Sequence, residues 1–264
     1  MLKILVYLYK LFLIKILYFF FKIDVYNCHF CRSNLKNKFY STKYYFQKII
    51  IYNCDNCALK YQSPILNKFG IKIFYKYFYR FDYNFISYEI LFNREMRRGE
   101  YILKFLNNFN INLDQKKILE IGTGSGGILK KFKSSFDCEV FGIDLDKNTI
   151  NFGKKRGLDL AVSDYDDYNY LNKYDFLILS HVLEHILDLK KFVNFLKNIL
   201  NHKAIIYIEV PGMNNHKVKK RNYSAQPSHL YYFDLNFLSN LFESNGFKII
   251  AKNEIIQILT IYEK

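Results

Sequence analysis

The chain has 264 residues, a formal net charge of +15 and five cysteines. That length supports one sizeable core plus a small appended module, and the absence of any internal repeat or Pro-rich linker excludes a repeat array. Lys, Asn, Ile, Tyr and Phe are all in excess and the basic residues are spread along the chain. The charge therefore reads first as base-composition bias, and alone it singles out neither nucleic acid, nor an anionic membrane, nor a phosphorylated substrate.

Residues 1–24 are nearly all apolar or aromatic, broken by Lys3, Lys10, Lys15 and Lys22. At about 100° per residue these lysines form two pairs roughly 120° apart, which predicts a helix with a basic face and a wide apolar one. Such a helix suits a bilayer surface, with packing against the protein's own helices as the alternative. The apolar runs are too short for a spanning segment and no small-residue cleavage site follows. A cytoplasmic protein with peripheral membrane contact through residues 1–22 is the expectation.

Residues 25–62 carry Cys28-His29-Phe30-Cys31 and Cys54-Asp55-Asn56-Cys57. Two Cys-x-x-Cys turns can offer four thiolates to one tetrahedral ion, so Cys28, Cys31, Cys54 and Cys57 are the predicted ligands of a structural zinc; two disulfides or four free thiols are the alternatives. The aromatic and β-branched stretch between them predicts a hairpin. His29 reads as solvent-facing and Cys138 as a small buried apolar residue. Residues 63–113 form a connector, with helical patterns over 88–96 and 101–106 covering the sheet and the mouth of the site.

Residues 114–264 predict strands at 116–122, 138–144, 159–164, 174–180, 203–210, 247–252 and 255–262, with helical patterns between the first six. That alternation implies a doubly wound, mostly parallel α/β sheet. The last two strands are separated by only Asn253-Glu254, too short for a parallel crossover, so the final strand runs antiparallel.

The first of these strands ends in Glu120-Ile121-Gly122-Thr123-Gly124-Ser125-Gly126, a glycine turn opening a helix. Bare main chain there lets a ligand lie close, facing the helix amides. Gly127 also completes a dinucleotide fingerprint, Gly-x-Gly-x-x-Gly. Glu120 separates the two readings, because a carboxylate there would repel a pyrophosphate and attract an ammonium and a sulfonium. Asp144 ends the second strand, where a carboxylate can accept ribose hydroxyls.

Together with Gly-Ile-Asp at 142–144, Ser163-Asp164, Leu183-Glu184-His185 and the late Pro227-x-His229 and Phe-x-x-x-Phe patterns, the segment 95–264 resembles the class I S-adenosylmethionine-dependent methyltransferases. The resemblance implies a Rossmann-like seven-stranded sheet. It implies that Glu120, Gly122, Gly124 and Gly126 hold the methionine half of S-adenosylmethionine and Asp144 the ribose. Asp164 would take the adenine amino group with Tyr165 beside the ring, and Ser180 and His181 would meet the reactive end. A zinc ribbon ahead of such a domain resembles bacterial enzymes that methylate sugars and other small molecules. His229 is the expected base, with Glu184 and His185 orienting substrate. In the related sugar C-methyltransferases a Glu-His pair stands here; Ser228 replaces that Glu, which favours O- or N-methylation. The densest basic cluster, Lys217 to Arg221, is a candidate holder of a phosphorylated or nucleotide-linked sugar. An RNA substrate, disfavoured because no base-stacking motif is present, and a non-catalytic cofactor-binding protein are the alternatives.

Overall fold

The computed structural model describes residues 2–44, 47–78, 87–211, 227–253 and 257–263. Its main sheet has seven strands: β6 (Lys117–Ile121), β7 (Glu139–Asp144), β8 (Asp159–Val162), β9 (Tyr174–Ser180), β10 (Leu200–Glu209), β12 (Phe247–Asn253) and β13 (Gln257–Tyr262). They lie in the order β12-β13-β10-β9-β6-β7-β8. Only β13 runs against its neighbours, pairing antiparallel with both β10 and β12. The doubly wound sheet with a closing antiparallel strand is as the alternation and the short final connection required.

Successive residues on a strand face opposite sides, so each central strand feeds two cores. Leu119, Leu177, Leu179, Ile206 and Ile208 pack on one side with Phe192 and Leu196 of α6 (Leu189–Ile199) and Leu238 and Phe242 of α7 (Leu235–Glu243). On the other side Ile118, Phe176, Ile178 and Tyr207 meet α3 (Tyr88–Asn107), α4 (Gly127–Ser135) and α5 (Lys147–Lys154). Side-chain carboxylates start three of these helices: Asp146, Asp188 and Asp234 each accept an amide hydrogen from the first turn, which supplies partners to otherwise orphaned donors.

Two local expectations differ from what forms. The two helical patterns in the connector fuse into the single α3, because nothing between Met96 and Tyr101 breaks the helix; Gly99 is accommodated where α3 meets Lys131 of α4. No helix lies between β8 and β9, where residues 163–173 run through turns. The Asp and Asn residues clustered there favour turns through local side-chain hydrogen bonds.

The cysteine-bearing segment contains the predicted hairpin, β2 (Lys36–Tyr44) with β3 (Gln47–Cys54), extended by β4 (Lys60–Ser63). The fourth strand of this sheet comes from far along the chain: β11 (Tyr231–Tyr232) pairs antiparallel with β4. Gln62 donates its amide to the Leu230 carbonyl at 3.0 Å, and Lys60 pairs with Asp234 at 3.2 Å. Cys28, Cys54, Leu59 and Tyr61 join the same core as Leu230, Tyr231 and Phe237, so the small sheet is built onto the α7 side of the large one.

At the N-terminus α1 (Leu2–Phe21) leads into β1 (Lys22–Ile23), which pairs with β5 (Ile65–Leu66) before α2 (Lys68–Tyr77). Ile14, Leu17 and Tyr18 of α1 are buried against Leu66, Phe74 and Phe78. Leu8, Phe12, Phe19 and Phe20 stay exposed. Among the described residues no helix is long and apolar enough to cross a membrane. Truncating either side of the α1–α2 contact, by Leu17→Ala or Phe74→Ala, is expected to cost about 3 kcal/mol. Urea unfolding checks this; an unchanged midpoint would mean that α1 is not docked in solution.

Candidate active site

The chain runs outward from β6 through β7 to β8, then restarts at β9 on the other side of β6. The carboxyl ends of β6 and β9 therefore flank the crevice where ligands settle in open α/β sheets. Glu120 stands near the end of β6, 1% exposed, accepting a 2.8 Å hydrogen bond from Thr123 Oγ1. Burial pushes its carboxyl well above the ordinary carboxylate range, and the nearby Glu95 and Asp144 push the same way.

The glycine turn that follows is tied down from two distant points. Asp144 Oδ2 accepts from the Gly124 amide at 2.8 Å while its Oδ1 accepts from the Asp146 amide. Glu95, on α3, accepts from the amides of Ser125 and Gly127 and from the Ser125 hydroxyl. The helix α4 needs this, because its N-cap is Gly126, which has no side chain to cap it. A carboxylate also interacts favourably with a helix N-terminus. Gly124, at φ +58°, would press any side chain onto Glu95, and one at Gly127 would meet the Phe92 carbonyl. Glu120, Gly122, Gly124, Gly126 and Asp144 are thus brought together, and the bare backbone with ringed acids fits a cationic adenosyl ligand.

The other side of the crevice is less as expected. Asp164 is half-buried and accepts from the Tyr165 amide, burial raising its carboxyl. The half-buried Tyr165 ring packs edge-on against Phe192, 4.8 Å between centroids, at the edge of the core. Ser180, at the end of β9, donates to Glu209 Oε2 at 3.0 Å and accepts from Arg98 Nη1 at 3.3 Å. His181 follows in a left-handed conformation, φ +57°, unusual for a residue with a side chain. Its amide donates to the Glu209 carbonyl, and its ring lies between two carboxylates: Nδ1 is 3.2 Å from Glu184 Oε1 and Nε2 is 3.8 Å from Glu209 Oε1.

Glu184 is buried in the 3-10 turn at Leu183–His185, and its carboxyl is held low, at about 2, against the cost of burial, by the His181 hydrogen bond and the charges of the surrounding histidines. His185 Nδ1 lies 2.8 Å from the Ser228 carbonyl oxygen. His229 is 8% exposed, its ring 4.9 Å from that of His185, and burial pushes it down to about 3. Glu95, Arg98 and Glu209 were missed by motif reading. Glu95 and Arg98 lie within and just beyond the helical pattern over 88–96, whose expected place over the mouth of the site does not say which of its charges turn inward. Glu209 could have been found, since it ends an apolar strand as Asp144 does.

The four thiols of Cys28, Cys31, Cys54 and Cys57 lie within 4.8 Å of one another. The Cys28–Cys57 and Cys31–Cys54 sulfurs are 3.7 and 3.5 Å apart. Tetrahedral zinc, with bonds of about 2.3 Å, sets sulfurs roughly 3.8 Å apart, so the donor set fits that ion. The two turns match: Arg32 and Ala58 donate amides to the Cys28 and Cys54 carbonyls, each at φ above +60°. His29 is half-buried beside Tyr231, not solvent-facing, and Cys138 is half-buried just before β7. The basic cluster Lys217 to Arg221 lies outside the described residues.

A family model for a methyltransferase domain matches residues 92–252. An uncharacterised protein of Methanocaldococcus jannaschii is 25% identical over 70% of this chain and 86% of its own length. A phosphoethanolamine N-methyltransferase of Triticum aestivum is 25% identical over 61% of this chain but only 34% of its own length. The crystal structure of an S-adenosylmethionine-dependent methyltransferase from Archaeoglobus fulgidus superposes with a TM-score of 0.52 at 21% identity, covering 71% of this chain and 100% of that one.

Glu95 generates a pH signature. Burial is the leading cause that raises its carboxyl from the ordinary 4.5 to about 7. The folded chain therefore holds this proton more tightly than the unfolded chain, and stability falls as pH rises between those values. Glu95→Gln keeps an acceptor for the amides and removes the titration. Its melting temperature is expected to decline less than the wild type's between about pH 4.5 and about pH 7; parallel melting curves would refute the assignment.

Proposed function

Because the chain belongs to the methyltransferase-domain family, as an S-adenosylmethionine-dependent enzyme, we propose that it methylates an oxygen or nitrogen of a small molecule, of the sugar or glycan and lipid precursor class. When bound, S-adenosylmethionine supplies an activated methyl carbon and a neutral thioether leaving group. Glu120, Gly122, Gly124, Gly126 and Asp144 are the residues that would hold it, with Asp164 towards the adenine. Arg98, between Ser180 and the buried Glu120, is the cation best placed for a carboxylate.

The chain's own chemistry is then to position the acceptor and remove its proton. The observation that carries this reading is the His181 ring between Glu184 and Glu209 at the crevice end of β9. Donation from Nδ1–H to Glu184 would leave Nε2 to take the acceptor's proton, and both carboxylates would stabilise the imidazolium that forms. At Nε2 His181 would take the proton as the acceptor's O–H or N–H bond breaks, freeing the acceptor's lone pair for the methyl carbon that the bound cofactor would supply together with its thioether leaving group. His229, deeply buried and weakly basic, suits this step less well than His181. His181→Ala is expected to lower kcat at least about a hundredfold with cofactor affinity nearly unchanged. A loss of only a few-fold, followed with labelled methyl donor on co-purified metabolites, would remove His181 from the role.

The four thiolates serve as a closed, structural zinc site holding the small sheet. The exposed Leu8, Phe12, Phe19 and Phe20 beside Lys15 give α1 an outer face suited to an anionic bilayer surface, while its inner face stays packed on α2. Sedimentation with phosphatidylglycerol-containing vesicles, lost on Phe12→Asp with Phe19→Asp, is the expected behaviour. Equal sedimentation of wild type and variant would exclude it.

A further inference from the structure

Beside His181 lies a set of donors of which the proposed methyl transfer uses only Glu184 Oε1. Glu184, His185 and His229 each offer one ligand atom, and these atoms lie within 4.8 Å of one another. Two parts of the fold bring them together. Glu184 and His185 are adjacent in the 3-10 turn, and His229 arrives on the segment entering β11, fastened by the Leu230 amide to the Glu184 carbonyl at 2.8 Å.

The hydrogen-bond pattern around this cluster does not close with protons alone. The Ser228 carbonyl oxygen can only accept, so His185 Nδ1 carries a hydrogen and donates it across 2.8 Å. In the neutral ring Nε2 is then a lone pair, and it faces Glu184 Oε1, another acceptor, at 3.8 Å. The other carboxylate oxygen, Glu184 Oε2, is fully buried with no hydrogen-bond partner among the described residues. Buried carboxylate oxygens are costly unless paired. A proton on Nε2 would not cure this, because 3.8 Å is beyond a hydrogen bond and Oε2 would remain orphaned. A divalent ion satisfies both atoms. A histidine that gives one ring N–H to a backbone carbonyl and turns the other nitrogen inward is also how metal-ligating imidazoles are oriented.

We propose that Glu184, His185 and His229 form a divalent-metal site beside His181, taking an ion of the zinc type through Glu184 Oε2, His185 Nε2 and a ring nitrogen of His229. Two neutral imidazoles and one carboxylate form an open donor set that leaves a position for substrate, in contrast to the closed set of four thiolates. Glu184 would then face two ways, with Oε1 on His181 and Oε2 on the ion. The class of acceptor this favours is a hydroxyl compound, because a cation beside His181 polarises an oxygen and makes its proton easier to remove. That last point rests on the proposed methyl transfer to a small molecule; the metal site does not.

The test counts metal in the full chain. After equilibration with Zn2+ and gel filtration, mass spectrometry is expected to find one ion for the thiol cluster and a second equivalent in wild type. Glu184→Gln should lose the second equivalent and keep the first. Wild type holding only one equivalent, or an undiminished count in Glu184→Gln, overturns the site. Should that variant not fold, wild type with zinc on its thiols is titrated with Co2+. New d–d absorption without thiolate charge transfer supports the site, and no new absorption overturns it. Calorimetry with S-adenosylhomocysteine on the same samples keeps the two readings apart: product binding without a second ion sinks the metal site alone, and a second ion without product binding sinks the methyl-transfer reading alone.

Discussion

An uncapped helix governs this structure. The glycine turn after β6 must remain bare so that a ligand can lie against it, yet a bare turn leaves the first amides of α4 without partners from their own N-cap. The chain meets this by reaching in from outside: Glu95 on α3 accepts from the Gly127 amide at the start of α4 and from Ser125, while Asp144 at the end of β7 accepts from Gly124 in the turn itself. The consequence is a crevice with acids at Glu120, Glu95 and Asp144 within one electrostatic neighbourhood, where burial raises the carboxyls of Glu120 and Glu95 and Asp144 adds to both. Such a neighbourhood disfavours pyrophosphate and favours a ligand that brings its own positive charge. The class of cofactor follows from how the turn is stabilised as much as from the turn itself.

The opposite wall obeys a related rule. Ser180, His181, Glu184 and Glu209 sit at the ends of adjacent parallel strands β9 and β10, where the sheet's connections leave the crevice open. His181 accepts a left-handed backbone there, and its amide is secured by the Glu209 carbonyl. Backbone strain of this kind, of order 1–3 kcal/mol, persists where surrounding contacts over-determine it and commonly marks a functional position.

The cysteine sheet is more than an appendage. By adding β11 to its edge it grips the segment that delivers Ser228 and His229. A metal held by four thiolates would therefore stiffen the acceptor side of the active site from behind, through β4 and the Tyr232–Gln62 hydrogen bond. Structural and catalytic regions distant in sequence are thereby coupled through a single strand pair.

Much of this was legible in the residues alone. Strand periods, the glycine turn, the acids at strand ends and the two-residue link before β13 are local signals, and each constrains only its own neighbourhood; together they determined a doubly wound sheet, its antiparallel last strand, the cofactor class and the thiol quartet. What only tertiary structure decided are relations between distant segments. Glu95 reads as one charge among several in a covering helix until α3 packs on α4 and sets it on the glycine turn. That Tyr165 packs on Phe192 and Phe195 while staying half-buried is likewise set by the fold. The burial of His229 and its place beside Glu184 and His185 are invisible in the motif that carries it. Spacing along a chain reports what a strand or turn can offer, whereas burial and charge depend on what packs against it, and that is settled only when the chain has closed on itself.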